Sequence, residues 1–435
     1  MSSQVDPRLP DAGTATSGAA DTLTLDQAPQ QVKLTRRQAR KARPMTTGRL
    51  VRRRVFRGVA GLLVVALAWF GVTFSGYLRD SAGEPISGVF AEWARDHGFG
   101  SVVALAEDFY YTHFDITPVG GTPTTSAVIA APSPNASGPS ASLSSSPGSS
   151  SSAAPTVVLP AHLAPPANMD SPAKPALADE GVWQPVGSPV EGISAMYATR
   201  IRADSVHTSV LASMLWIDTK LVQAMYVPGY REPSLGPNPY GGALPKNLWP
   251  RVLANINGAF RLQDSQGGYY YQGQMIVPLV AGKASTVIYK DGSVKIGAWG
   301  SDVTMTPDVS VVRQNLDLLV DKGASRADSH FVWGFTTHGE SYAWRSAIGQ
   351  RADGSLVYIG SPGLSAANVA DSLVRAGVVR AMVLDMNNYW VAGFYFTHDA
   401  SRLPVCAKLD PNIAETCNRF LNPYKRDSFQ FLAKQ

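Results

Sequence analysis

The chain has 435 residues, 45% of them hydrophobic and 16% charged, with a formal charge of +5, enough for one large or two modest domains. The positive balance is local: residues 1–57 hold twelve Lys or Arg against four Asp, which leaves 26 basic and 29 acidic residues over the remainder. A slightly acidic body argues against nucleic acid as a partner, and the two cysteines, with no C-x-x-C and no Cys/His spacing, give no zinc module.

The first segment, 1–57, reads as a basic, disordered cytoplasmic tail. Residues 58–78 (GVAGLLVVALAWFGVTFSGYL) form an uncharged stretch of 21 residues, close to the ~20 that cross a bilayer as a helix. It is longer than the apolar core of a signal peptide and lies far from the N-terminus, so a retained signal-anchor is expected rather than a cleaved leader. The arginines before it place the N-terminus in the cytoplasm and the rest outside, as a single-pass protein of the cell membrane. Residues 79–116 read as a short juxtamembrane segment of two amphipathic helices, broken at Gly98-Phe99-Gly100. Residues 117–176, with no charge between Asp115 and Asp170 and a Ser/Pro/Ala-rich middle, read as a disordered linker. The Asn135-Ala136-Ser137 sequon falls inside it.

Residues 177–435 carry the globular pattern, and the fold class expected for them is α+β: a strand-rich mixed sheet with a few helices. Residues 210–218 and 221–227 read as strands, 287–296 as a hairpin about Asp291-Gly292, and 309–320 as a helix with Val312, Leu316, Leu319 and Val320 on one face. Tyr269-Tyr270-Tyr271 follows Gly267-Gly268 in an expected loop, which makes Tyr270 a candidate sugar-binding residue. The other tryptophans and tyrosines are read as packing. Residues 346–359 form a second hairpin about Asp353-Gly354, a helix opens at Ser365 and stops at Gly377, and 378–384 is a buried strand. Asp385 leaves the C-terminal end of that strand. Cys406 and Cys417, the only two cysteines, are expected to pair in an oxidising compartment.

Two residues carry the chemistry. An arginine fork, here Arg345, clamps a phosphate, and an aspartate at a strand end, Asp385, serves as base, nucleophile or metal ligand; a purely structural Arg–Asp pair is the competing reading. Asp385-x-Asn387-Asn388 resembles the start of a calcium loop, but Trp390 stands where the loop glycine belongs and Phe396 where the bidentate Glu belongs, so an EF-hand is excluded. A divalent cation held otherwise stays open, and the metal ligands are unknown. His330 and His338 form no H-E-x-x-H, and no G-x-S-x-G elbow or phosphate loop occurs.

Four motifs in order, Asn255-Ile256-Asn257-Gly258-Ala259-Phe260, Asp291-Gly292 with Gly297-Ala298-Trp299, Arg345-Ser346-Ala347-Ile348-Gly349 and Leu384-Asp385, resemble the phosphodiester glycosidase family over about 250–395. Trp93-Ala94-Arg95-Asp96-His97-Gly98, Gly181-Val182-Trp183 and Arg313-Gln314-Asn315-Leu316 resemble a membrane-anchored branch of that family found in actinobacteria. The resemblance implies a hydrolase that removes a sugar from its phosphodiester, with Asn257, Arg345 and Asp385 catalytic and Gly258 in the site. Where the family has Asn-Gly-Gly-Phe this chain has Ala259, and where it has Leu-Asp-Gly-Gly-Gly-Ser it has Met386-Asn387-Asn388-Tyr389. Glycines let backbone N–H groups approach a phosphate; here Asn387 and Asn388 are expected to hold the anionic group instead. The substrate expected is a sugar-1-phosphodiester of a cell-envelope glycopolymer. The alternative is a catalytically degenerate scaffold that binds envelope polysaccharide.

Overall fold

The computed structural model describes residues 47–81, 84–114, 116–129, 160–233, 235–327 and 342–435. The tail before 47, the sequon at Asn135, and His330, Trp333 and His338 lie outside the described residues. Contacts divide the chain into two units, 1–72 and 73–435. The described part of the first belongs to the helix Thr47–Arg79, of which Val51–Arg79 is long and apolar enough to cross a bilayer. The helix's last residues, from Thr73, group with the second unit.

The second unit is built on three sheets, and their paired strands are antiparallel. The largest has eight strands, with the hairpin Ala343–Arg351 and Leu356–Leu364 at its centre, flanked by Leu211–Ile217 on one side and Val378–Val383 on the other. A five-stranded sheet places Val309–Gln314 between Tyr269–Tyr271 and Ala284–Tyr289. The other places Val252–Asn257 between Gly393–His398 and Ser428–Ala433, with Val222–Val227 at its edge. Alternate side chains of all three meet in one core that includes Ile348, Tyr358 and Met382 from the first, Tyr269 and Val311 from the second, and Ile256 and Phe429 from the third.

The opposite face of the large sheet is covered by the helix Ala366–Arg375. Ser365 caps it by accepting the Asn368 N–H while the Asn368 side chain accepts from the Ser365 N–H, a reciprocal box that satisfies two end donors. Its buried face, Val369, Ala370 and Leu373, packs on Ala347, Ile359 and Val383. Gly377, at φ +79°, follows the last turn in the left-handed conformation that releases the chain into the next strand.

Three expectations are corrected. Residues 309–320 are two strands, Val309–Gln314 and Leu318–Asp321, in different sheets; the spacing of 312, 316 and 319 fits a helix, but β-branched residues paired on both sides override it. Tyr269–Tyr271 is a strand, not a loop: Tyr269 and Tyr271 are fully buried beside Tyr226, and Tyr270 lies half-buried against Val287, Val303, Val309 and Val312. The ends of the expected linker fold into the unit. Ala127, Ile129, Met169 and Ala173 are buried, and the Leu163 N–H donates to Asp218 Oδ2 at 2.7 Å. A charge-free stretch folds where its apolar minority, rather than its Ser and Pro, meets the core.

The two short helices are Ile86–Ala94 and Gly100–His113, with the corner at His97 and Gly98, the latter at φ +86°. They are not free of the body: Val89, Glu92 and Trp93 are buried. Cys406 and Cys417 are joined in a disulfide that links the strand Pro404–Lys408 to the segment after it.

Candidate active site

Asp385 follows the strand end and remains tied to the hairpin beside it. The Ser346 N–H donates to the Asp385 carbonyl at 2.8 Å, the Leu384 N–H donates to the Ser346 carbonyl at 2.8 Å, and Ser346 Oγ lies 3.1 Å from both the Asp385 carbonyl oxygen and its amide nitrogen. Ser346 is in turn held by Asn257, whose Nδ2 donates to Ser346 Oγ at 3.0 Å and to the Gly258 carbonyl at 2.9 Å. Asn257 Oδ1 accepts from the Tyr358 hydroxyl at 2.9 Å and the Ala392 N–H at 3.1 Å. Both ends of this amide are therefore engaged within the protein, and Asn257 works as a brace behind Asp385.

Asp385 is 1% exposed. Its Oδ1 accepts the N–H groups of Met386 at 2.8 Å and Asn387 at 3.2 Å, and its Oδ2 accepts from Arg426 Nη2 at 2.9 Å. Burial pushes its pKa up to about 6, partly offset by the Arg426 guanidinium and the two backbone donors. A carboxyl in that range suits a general base near neutral pH. Arg426 is buried, lies with its guanidinium carbon 4.1 Å from the centre of the Trp390 ring, and also donates to the Ala259 carbonyl at 3.2 Å. Its Nη1 is buried with no protein partner among the described residues. That leaves one charged donor to spare beside a buried carboxylate.

A second charge cluster stands beneath it. Asp427 accepts from Arg313 Nε at 2.9 Å and the Tyr226 hydroxyl at 2.7 Å, and Arg313 Nη2 donates to the Phe260 carbonyl at 2.6 Å. Gly258 belongs to this cluster rather than to a phosphate cradle: its N–H donates to the Asp427 carbonyl at 2.9 Å, and a Cβ on it would fall 2.3 Å from the Asp427 carboxyl carbon. Glu232 adds a carboxyl whose charged neighbours include Arg426 and Arg261, and burial raises its pKa. Arg261, also buried, pairs with Asp264 at 2.8 Å and with Asp96 at 2.5 Å.

The residues chosen from sequence are thus divided. Asp385, Asn257 and Gly258 converge. Arg345 is one residue before Ser346 in the strand and so shares the face of Ala347, toward the helix Ala366–Arg375; its Nε donates to the Leu364 carbonyl at 2.8 Å. Asn387 spends its N–H on Asp385 and its Oδ1 on the Tyr389 N–H at 2.9 Å, and Asn388 is half-buried in the same loop. Tyr270 packs in the small sheet, apart from this group. Among the described residues no cluster of three or more His, Cys, Asp or Glu has the arrangement to hold a metal ion. Arg426 was missed. Its only signal is the run Lys425-Arg426-Asp427 directly before the apolar strand Ser428–Ala433, where three charges enter a core.

Residues 250–385 match the phosphodiester glycosidase family. Over this stretch the chain is similar to that family. The match ends on Asp385, so the arginine that pairs with it lies beyond the matched stretch. Among solved structures, the chain is similar to the catalytic domain of zebrafish N-acetylglucosamine-1-phosphodiester alpha-N-acetylglucosaminidase, auto-inhibited by its pro-peptide. That similarity is at 14% identity over 58% of this chain and 88% of that one, with a TM-score of 0.39. A hypothetical protein from Synechocystis is similar at 10% identity, over 58% of this chain and 64% of that one, with a TM-score of 0.33. No curated protein matches the chain.

Proposed function

We propose that the glycosidase domain hydrolyses a sugar-1-phosphodiester of the cell envelope, outside a membrane in which residues 51–79 are its single anchor. The observation that carries this reading is the buried Asp385–Arg426 pair, whose arginine keeps Nη1 without a protein partner among the described residues, at the end of the family match. Asp385 takes the proton of a water whose oxygen bonds to the anomeric carbon as the bond from that carbon to the phosphate oxygen breaks. The leaving group is a phosphate monoester, which needs little acid assistance. Arg426 donates from Nη1 to a non-bridging phosphate oxygen, where developing charge is stabilised most in a site closed to water.

Asn257 and Ser346 hold the Asp385 backbone and are positioning residues. The Met386 and Asn387 N–H groups, which in a glycine run would face the phosphate, orient the base instead. The same two contacts favour the rival reading, a polysaccharide-binding scaffold without turnover. Purified full-length protein, incubated with a panel of sugar-1-phosphodiesters with and without divalent cations, should release free sugar. Binding without release across that panel, unchanged by Asp385→Asn, would establish the scaffold instead. The anchor is supported by the arginine cluster before it. Protease added to intact cells should remove the glycosidase domain and spare the tail.

A further inference from the structure

The two short helices carry apolar side chains on the side that faces away from the body. In Gly100–His113, Val102, Leu105 and Phe109 are 63%, 70% and 54% exposed and recur at helical spacing, while Val103 and Ala104 turn inward. Ile86 on the preceding helix is exposed in the same way, as are Phe99 at the corner and Phe114 and Ile116 beyond, while Phe90, four residues after Ile86, packs edge-on to Phe74 of the long helix. An outward apolar stripe of this length is wrong for water.

The chain itself says what covers it. Ile86 follows Arg79, the end of the bilayer-length helix, after residues 80–85; six residues reach at most ~20 Å. The end of that helix is also bonded to the pair: Trp93 Nε1 donates to Thr73 Oγ1 at 3.0 Å, and the Tyr77 hydroxyl donates to Asp96 Oδ2 at 2.7 Å. Helices so close to a span, with aromatic and aliphatic side chains outward, lie in the interfacial layer.

Their inner side holds the site. Asp96 pairs with Arg261 at 2.5 Å, and Glu84 and Glu92 pair with Lys425 Nζ at 2.8 and 2.7 Å, the residue next to Arg426. A Cβ on Gly88 would come 3.8 Å from the Tyr389 ring, in the loop that follows Asp385. One helix, about 10 Å across with its side chains, therefore separates that loop from the exposed apolar stripe. None of these contacts passes through residues 130–159.

We infer that the helix pair Ile86–Ala94 and Gly100–His113 lies in the bilayer surface and holds the Asp385–Arg426 site beside it, so that the phosphodiester it takes is carried on a lipid alcohol. This rests on the hydrolase reading and deepens it: a glycosyl phosphate esterified to a lipid presents its sugar and phosphate in the headgroup layer, next to the helices that hold the Asp385–Arg426 site. A free polymer or soluble diester gains nothing from that seat.

The test uses full-length protein in phosphatidylcholine/phosphatidylglycerol vesicles. A bimane label on Leu105→Cys should emit as from an apolar medium and be quenched by doxyl-labelled lipid; water-like emission without quenching overturns the seating and the inference with it. In the same vesicles, the dodecyl ester of a sugar-1-phosphate should turn over at least tenfold faster than its methyl ester, and Leu105→Glu with Phe109→Glu should remove that advantage while leaving methyl-ester turnover unchanged. Equal rates for the two esters with the label buried would overturn the lipid-substrate assignment. No turnover of either ester with any sugar of the panel overturns the hydrolase reading and the lipid-carried substrate with it, and the label alone then decides the seating.

Discussion

Two segments each bring an arginine near the strand end at Asp385. Arg345, from the family-matched hairpin, faces the helix side of the large sheet and donates to the Leu364 carbonyl; Arg426, from the run before the last strand and outside the match, makes the ion pair. The difference teaches that a motif residue's type does not fix its task. Within the matched stretch Asn257, Ser346 and Gly258 build the frame around Asp385, and the charge that faces the carboxylate arrives from elsewhere in the chain.

That contrast can be broken or sharpened by substitution. Asp385→Asn should lower kcat by about 10³-fold or more while binding persists, the scale of a lost general base. Arg426→Gln should lower kcat/KM by about 10²-fold. It also leaves a buried carboxylate unpaired, at a cost of about 3–5 kcal/mol in stability, so its fold should be checked by circular dichroism and Arg426→Lys should recover part of the rate. Replacing either cysteine by Ser should destabilise by about 2–3 kcal/mol, given a loop of about a dozen residues, read by denaturant unfolding. Gly258→Ala should cost about 1–3 kcal/mol, because its Cβ overlaps the Asp427 carboxyl, and lower Tm. Arg345→Gln should change kcat/KM by about tenfold or less through positioning. A loss equal to that of Arg426→Gln would erase the distinction between the two arginines.

Local patterns were the legible part of the fold. The hairpin 343–364, the capped helix after Ser365, the stop at Gly377 and the strand to Asp385 all follow from turn chemistry, capping and alternation within a short window. Residues 309–320 failed because their spacing satisfies two periods at once and only the pairing partners, far away in sequence, choose between them. The Tyr269–Tyr271 strand failed for a related reason: the glycines before it mark close packing, since a Cβ on Gly268 would fall 2.4 Å from the Pro278 carbonyl oxygen. In the site, Asp385 was legible at a strand end. Arg426 was not, because 41 residues separate it from its partner and nothing local to either distinguishes a salt bridge across sheets from a surface charge. The juxtamembrane helices were legible as helices, but their carboxylates Glu84, Glu92 and Asp96 showed no sign of their partners Lys425 and Arg261.

The pH dependence of kcat/KM tests the Asp385–Arg426 pair most directly. Burial raises the Asp385 pKa to about 6, so the base is protonated below that value and active above it. Wild-type kcat/KM should therefore rise with pH through an inflection near 6. In Arg426→Gln, where the cation that favours the carboxylate is gone, the inflection should move to higher pH. A wild-type profile that is flat from pH 5 to 8, or an inflection unmoved in the variant, would contradict the assignment of Asp385 as the base and Arg426 as its partner.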